Sequence, residues 1–379
     1  MARLSPPAVL FAVIGLAGLA LPLVQFKANR IVPGEAVSLS ELPFGMPVAA
    51  GLAVFLIAAC LPRWPAMLRL AVAIAGLVAV VLSLGAAASH LTPDGNSLAR
   101  VSPAAGFWLL GLAFGLMLAD AVNRLRPSLA LRWLMLAGAV VLAAGILASG
   151  ALDGVSVMRE YATRRDLFLR EAHAHLTLAF GSLGLALLVG TPTGIAIFQA
   201  RRWRGPVLGV LNILQTIPSL ALFGIMIPIF GWVAATLPGA AKLGVSGIGT
   251  FPALIALFLY SLLPVVSNTL AGLSGVPAAT REAAVGLGMT RTQVLAQVLV
   301  PLALPVLLAA VRIVLVQNIG LAVIAGLIGG GGFGTFVFQG LNQTAMDLVL
   351  LGALPTIALA LVAGIALDLV VQGTRRRAA

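Results

Sequence analysis

The sequence predicts an all-α, polytopic membrane protein of about ten transmembrane helices, and three observations carry that reading. Of the 379 residues, 61% are hydrophobic and only 9% charged, against roughly 25% charged in a soluble domain. Mean hydropathy is +1.11. Apolar runs of about twenty residues, the length that crosses a bilayer as a helix, recur from end to end. A net charge of +12 would suggest nucleic acid in a soluble chain. Here it reads as loop charge that orients the spans, and no nucleic-acid partner is expected. The single cysteine, Cys60, lies in an apolar run. An intrachain disulfide and a structural zinc site are therefore excluded.

The elements follow in order. Span one is about Pro7 to Phe26, expected to stay as an uncleaved anchor because no small-residue cleavage site follows and more spans do. The loop Lys27 to Leu42 leads to span two, Pro43 to Leu61. A basic turn, Arg63 to Arg69, precedes span three, Leu70 to Ser89. Pro93-Asp94-Gly95-Asn96 marks a turn within the loop His90 to Pro103. Span four is Ala104 to Val122. Arg124, Arg126 and Arg132 mark the next turn, before span five at Trp133 to Leu152. The mixed-charge segment Asp153 to His175 is predicted to separate two membrane regions, with a surface helix over 159–171 laced by close charge pairs. Spans six to eight are Leu176 to Ala200, Pro206 to Trp232 with Pro218 and Pro228, and Gly249 to Leu273 with Pro252 and Pro264. Span nine is Leu302 to Ile328. A charge-free glycine tract, Gly329 to Gly334, precedes span ten, Met346 to Val371, and Arg375-Arg376-Arg377.

Ten spans with both termini in the cytoplasm place the larger share of the 23 Lys and Arg inside, as the positive-inside rule requires. Trp64, Trp133 and Trp203 then fall at inner boundaries, Trp108 and Trp232 near outer ones, which suits an interfacial belt.

Between spans eight and nine lies a moderately polar island, Val276 to Pro305. Pro277 stands where a first helical turn tolerates proline, and Ala278 to Leu287 follows as a helix-forming run. Gly288 can end that helix in the left-handed cap. Thr290 and Gln293 compose a capping box for a second helix, and Pro301 admits the next apolar run. The island reads as helix, glycine elbow, helix. Its Glu282-Ala283-Ala284, then three residues, Gly288, nine residues and Val298-Leu299-Val300-Pro301 resemble the EAA loop of ABC importer permeases. Val298 and Val300 depart from that pattern conservatively. The resemblance implies a cytoplasmic coupling loop over 276–301, with Glu282, Ala283, Ala284, Gly288 and Pro301 meeting an ATPase.

The second half looks further like the permease of osmoprotectant (glycine betaine, choline, carnitine) ABC importers. The matching residues are His175 to Leu178, Gly190 to Gly194, Gln215 to Leu222, Tyr260 to Pro264, Asn268-Thr269, Gly326 to Gly329 and Gly332 to Gly334. The likeness implies an ABC type I importer core over 176–372. It leaves 1–152 as an N-terminal region of about five helices, similar to the longer permease of a Gram-negative betaine importer, and 153–175 as an extracytoplasmic connector. The location implied is a bacterial inner membrane. The implied partners are ABC ATPase subunits inside, an extracytoplasmic solute-binding protein, a second permease chain or a copy of itself, and the lipid bilayer.

No catalytic residue, cofactor or metal is expected. No phosphate loop occurs, so ATP hydrolysis belongs to another subunit. His173 and His175 would not share a helix face, which argues against a metal site. Arg312 is the one basic residue deep in a span. An intramembrane charge defaults to a functional reading, here a pathway wall or gate with Gln317 and Asn318. The other reading is a head group that snorkels or bonds free carbonyls. Asn212, Gln215, Thr216, Pro218, Ser219, Ser267 and Asn268 lie on proline-broken spans. They either line a path or bond between helices. Two alternatives stay open for function: an ion-gradient-driven secondary transporter, and an ABC permease for another small solute. The first needs midplane carboxylates, whereas Asp120, Asp347 and Asp368 fall near span ends. A third reading, a membrane anchor or sensor, suits the first spans but not the coupling loop.

Overall fold

The computed structural model describes residues 6–29, 32–61, 64–93, 95–96 and 98–378. Arg3, Arg30, Arg63 and Asp94 lie outside these, as do the side chains of Arg375, Arg376 and Arg377. The chain divides into two compact units. The first comprises residues 1–163 and 345–347, the second residues 164–344 and 348–379. The division falls inside the mixed-charge segment.

Among the described residues, eight helices are long and apolar enough to cross a membrane. The expected spans one and two are shorter than the sequence suggests. Helix α1 covers Pro6–Ala20 and α2 covers Gly45–Ala58, 15 and 14 residues. At 1.5 Å per residue each reaches only about 22 Å, short of a hydrocarbon core of about 30 Å. The end of the first apolar run is instead a strand, β1 (Pro22–Lys27), which pairs antiparallel with β2 (Glu35–Ser38) and β3 (Arg100–Pro103) in the order β2-β1-β3. Pro22 lacks the N–H a continuing helix needs. Leu23 and Val24 then bury fully in the extended form. Apolar content alone does not separate such a strand from the helix before it.

The rest of the first unit is helical: α3 (Ala66–Leu91), α4 (Ala105–Leu125), α5 (Leu129–Ala148) and α6 (Ser156–Thr163). Its core gathers Leu23, Leu52, Leu56, Val80, Leu110 and Phe114. Gly76 makes room for the Phe114 ring, since a Cβ there would lie 2.3 Å from it. Arg69, expected as a turn charge, is instead buried in the first turn of α3. It donates to the Ala59 carbonyl at 2.6 Å, just past the end of α2, and to the Trp64 carbonyl at 3.3 Å in the turn before α3. None of the residues of α5 is buried. Two residues of the charged segment reach far along the chain. Glu160 is buried and pairs with Arg100 at 3.6 Å, and Arg100 also meets Asp347 at 3.6 Å. Arg159 donates to the Asn96 and Ala99 carbonyls.

The second unit opens with α7 (Arg165–Gln199), one continuous helix that absorbs the end of the charged segment and the whole of span six. It packs along α10 (Thr250–Ser274). Gly190 and Gly194 stand four apart on the contact face. A Cβ at either would lie 2.8 Å from Val265 or 2.6 Å from Thr269. Small residues at this spacing let membrane helices approach backbone to backbone. Expected span seven is two helices, α8 (Arg204–Thr216) and α9 (Ser219–Thr236), parted at an extended Ile217 before Pro218. That is the conformation imposed on a residue before proline. Span eight, expected to be broken, runs unbroken through Pro264. The remaining elements are α11 (Ala278–Gly286), α12 (Arg291–Gln293), a π-helical turn (Val294–Leu299), α13 (Val300–Leu321), α14 (Gly334–Asn342) and α15 (Met346–Ala378).

Gly194→Ile is expected to lower unfolding stability in detergent by about 1–3 kcal/mol through overpacking. Gly184→Ala, where a Cβ meets nothing, should stay within about 0.5 kcal/mol. Equal effects from the two would count against close α7–α10 packing.

Candidate functional site

The polar island folds as a helical hairpin. Helix α11 ends at Gly286, and Gly288 takes φ +82°. A Cβ at Gly288 would touch nothing, so glycine is required there by backbone conformation and not by space. Thr290 then caps the next helix. Its hydroxyl accepts from the Gln293 N–H at 3.3 Å, while the Gln293 side chain accepts from the Thr290 N–H at 2.8 Å. Pro301 does not separate two segments, because helix runs from Arg291 to Leu321 without a break. The wider π turn relaxes the register just before Pro301, whose ring lacks the N–H for an i−4 bond.

The faces of the hairpin are distinct. Ala284 is buried against Leu273, Val294, Leu299 and Ala303, so its small size serves the hairpin's own packing and not a partner groove. Glu282 and Ala283 are exposed. Beside them Val285 is exposed, and Leu287 shows 84% of its surface. This apolar tip was missed in the sequence, where Leu287 reads as one more helix former.

The two proline sites are clipped together. Pro264 cannot donate to the Tyr260 carbonyl four residues back. The Gln215 side chain fills that place, donating to it at 2.8 Å. In return the Tyr260 hydroxyl donates to the Ile217 carbonyl, left open at the α8–α9 break. Gln215 thus bonds between helices, whereas Thr216 bonds the Ile213 carbonyl and Asn268 the Pro264 carbonyl of their own helices. Asn212 and Pro218 are exposed, and Ser219 and Ser267 are half-buried.

Asn318 is fully buried. Its amide donates to Ser182 Oγ at 2.8 Å and accepts from Ser261 Oγ at 2.9 Å, joining α13 to α7 and α10. The two serines were not among the expected site residues, and only their facing positions in space reveal them. Arg312 has a partner that the sequence reading did not name. It is ion-paired with Asp368 of α15, which also accepts from Gln372 at 2.6 Å. Gln317 is half-buried near Arg312. The glycine tract is held by α7. Glu171 accepts from the Gly332 N–H at 2.7 Å and from the Thr335 hydroxyl at 3.2 Å, and the His175 ring lies on Phe333. Gly329, Gly331 and Gly332 take left-handed φ, and the Gly332 N–H points to the carboxylate. No group of three metal-ligating side chains occurs among the described residues.

Long apolar helices, packed through small residues and interrupted by an exposed helical hairpin, define a multi-pass membrane permease. The family model described as binding-protein-dependent transport system inner membrane component matches residues 183–376, and the chain belongs to that family. It is the membrane-spanning permease subunit of an ABC importer and not an enzyme. A second model, described as the N-terminal domain of ABC transporter permease YehY, matches residues 3–158. Among curated relatives, the osmoprotectant import permease protein OsmW of Salmonella typhimurium is 42% identical, over 50% of this chain and 82% of its own. The carnitine transport permease protein OpuCB of Listeria monocytogenes is 39% identical, over 51% and 81%. The choline transport system permease protein OpuBB of Bacillus subtilis is 36% identical, over 51% and 82%. A solved inward-facing structure of the MetNI methionine ABC transporter is 26% identical, covers 55% of this chain and 96% of its own, and has a TM-score of 0.47.

Asn318→Ala is expected to cost about 1–2 kcal/mol, from two interhelical bonds of about 0.6 kcal/mol each plus a small cavity. Ser182→Ala and Ser261→Ala should each cost less, because each removes one of the two bonds. Denaturant unfolding in detergent checks the order, and a costlier serine variant would contradict a triad centred on the amide.

Proposed function

We propose that this permease carries betaine-type compatible solutes, such as glycine betaine or choline, into a bacterial cytoplasm across the inner membrane. The solute class rests on relatives named for osmoprotectants, carnitine and choline that match over the same half of the chain. The observation that carries the coupling role is the α11 hairpin, which offers Glu282, Ala283 and the apolar Leu287 outward while Ala284 and the Thr290 cap hold it in shape. ATPase subunits would seat this tip, with Gly288 setting the elbow and Pro301 the entry to α13. A second permease chain or another copy completes the membrane pathway, and an extracytoplasmic binding protein delivers the solute.

In this reading both termini and 276–301 are cytoplasmic. Residues 153–175 form an outer connector, 176–372 the transport core and 1–152 an accessory membrane region. Gln215, Thr216, Pro218, Ser219 and Asn268 mark the path where α8 and α9 part. Arg312 and Gln317 line it further along, and Asn318 keeps its helices in register. Binding of ATP would draw the hairpins together, and α8 to α13 would alternate access. Among the described residues, Asp120, Asp347 and Asp368 each sit in an ion pair with an arginine. This weighs against a free proton-coupling carboxylate.

Co-purification with the ATPase, together with solute uptake in cells, tests the reading. Leu287→Asp should cut ATPase retention about tenfold or more, as loss of an apolar anchor does. Gly288→Asp should abolish uptake while the protein still inserts. Wild-type uptake that survives ATP depletion but collapses with the ion gradient would replace this reading with a secondary transporter.

A further inference from the structure

Glu171 and His175 are buried titratable side chains four apart on one face of α7, with Phe168 one turn before them. All three meet the same stretch, 329–336. The Glu171 carboxylate accepts from the Gly332 N–H at 2.7 Å and from the Thr335 hydroxyl at 3.2 Å. His175 Nδ1 accepts from the Phe333 N–H at 3.4 Å. The Phe168 ring centroid lies 5.4 Å from that of Phe333 and 6.0 Å from that of Phe336. The seat is close as well as polar. A Cβ at Gly331 would lie 3.0 Å from Glu171 Oε2, and one at Gly332 would lie 3.1 Å from His175 Nδ1.

His175 also reaches the end of α13. Because Nδ1 accepts, the ring proton sits on Nε2. Nε2 is buried without a hydrogen-bond partner, although the ring lies beside the backbone of Ile319. The Ile319 carbonyl is open there, since the Val323 N–H that would meet it bonds the Gly320 carbonyl at 3.3 Å. A buried donor without a partner costs free energy. A small turn of α13 that brings this carbonyl onto Nε2 removes that cost. The Phe333 bond is already long, so a ring drawn toward Ile319 loses it. One imidazole thus stands between the glycine tract and the residue that follows Asn318.

We propose that Glu171 and His175 are positioning residues of the transport cycle: they latch the glycine tract to α7 at rest and release it when α13 turns. The inference rests on the coupling role given above to the hairpin, and adds the residues through which motion of α13 reaches the far end of the core. Polar bonds suit a contact that opens in every cycle. A freed carboxylate, hydroxyl and N–H regain water at the membrane edge, whereas an apolar seat regains nothing. The glycines on either side of Phe333 give the tract the backbone freedom to lift.

The test follows backbone amide exchange by mass spectrometry in the full-length permease with its ATPase in lipid nanodiscs, at rest and trapped with ATP and vanadate. In the wild type, 329–336 is expected to exchange about tenfold faster when trapped. At rest, Glu171→Ala should speed exchange there about tenfold, while 257–265 of α10 stays as in the wild type. Glu171→Gln keeps the shape and one acceptor, and Thr335→Val removes one of two bonds, so each should have a smaller effect. In His175→Leu the resting exchange rises and trapping adds little. ATP hydrolysis without solute should rise about fivefold in Glu171→Ala, where a folding defect would lower it. Unchanged resting exchange in Glu171→Ala would overturn the proposal. So would faster exchange throughout the core, or a wild-type tract that exchanges alike at rest and trapped. Wild-type ATP hydrolysis with an unmoved tract sinks the latch alone. A permease that retains no ATPase sinks the coupling reading, and the latch with it.

Discussion

One buried amide sets the geometry of the transport core. Water drives no hydrophobic association between helices inside a bilayer, so their register must come from close packing and from polar groups that find one another. Asn318 supplies the polar part by donating to Ser182 and accepting from Ser261, with no side-chain surface left over. Gly190 and Gly194 supply the close approach of α7 to α10. A slip of α13 by one residue would leave a buried amide and force a serine hydroxyl back onto its own helix. Ser182 already donates to the carbonyl four residues before while it accepts from Asn318, and the one Ser261 proton is shared between the Leu257 carbonyl and Asn318, so the triad adds specificity more than raw stability.

Prolines shape the rest of the core by the carbonyls they leave unpaired. The Tyr260 carbonyl, freed by Pro264, is met by Gln215, and the Ile217 carbonyl at the Pro218 break is met by the Tyr260 hydroxyl. Two interruptions thus satisfy each other across neighbouring helices. At Pro301 the chain itself adjusts, through the π turn over Val294–Leu299. The glycine tract follows a related logic: the N–H of left-handed Gly332 is taken up by Glu171 from α7.

Much of this was legible in the sequence. The long apolar spans, the left-handed Gly288 and the Thr290–Gln293 box are local patterns, and each has a local physical cause. Features that depend on distant partners were not. Arg312 read as an isolated cation because Asp368 lies 56 residues further on. Glu171 read as a surface charge because its acceptor role is defined by Gly332, 161 residues away. The sheet of the first unit was hidden because β1 continues an apolar helix without any change in composition. Ala284 fits an exposed coupling motif by pattern, yet its burial is set by Val294 and Leu299 after the chain has turned back.

The uninterrupted helix from Arg291 to Leu321 has a mechanical consequence. The triad residue Asn318 sits about 40 Å along the same rod from the Thr290 elbow, at 1.5 Å per residue. A rod of this kind transmits tilt and torsion from one end to the other with little loss, except where its hydrogen-bond ladder is loosened. The π turn over Val294–Leu299 and Pro305, which has no N–H for the ladder, are those places, and both lie on the hairpin side of Arg312. Force applied at the hairpin therefore meets the compliant stretch first, and beyond Pro305 the helix turns as a single body about the amide that anchors it.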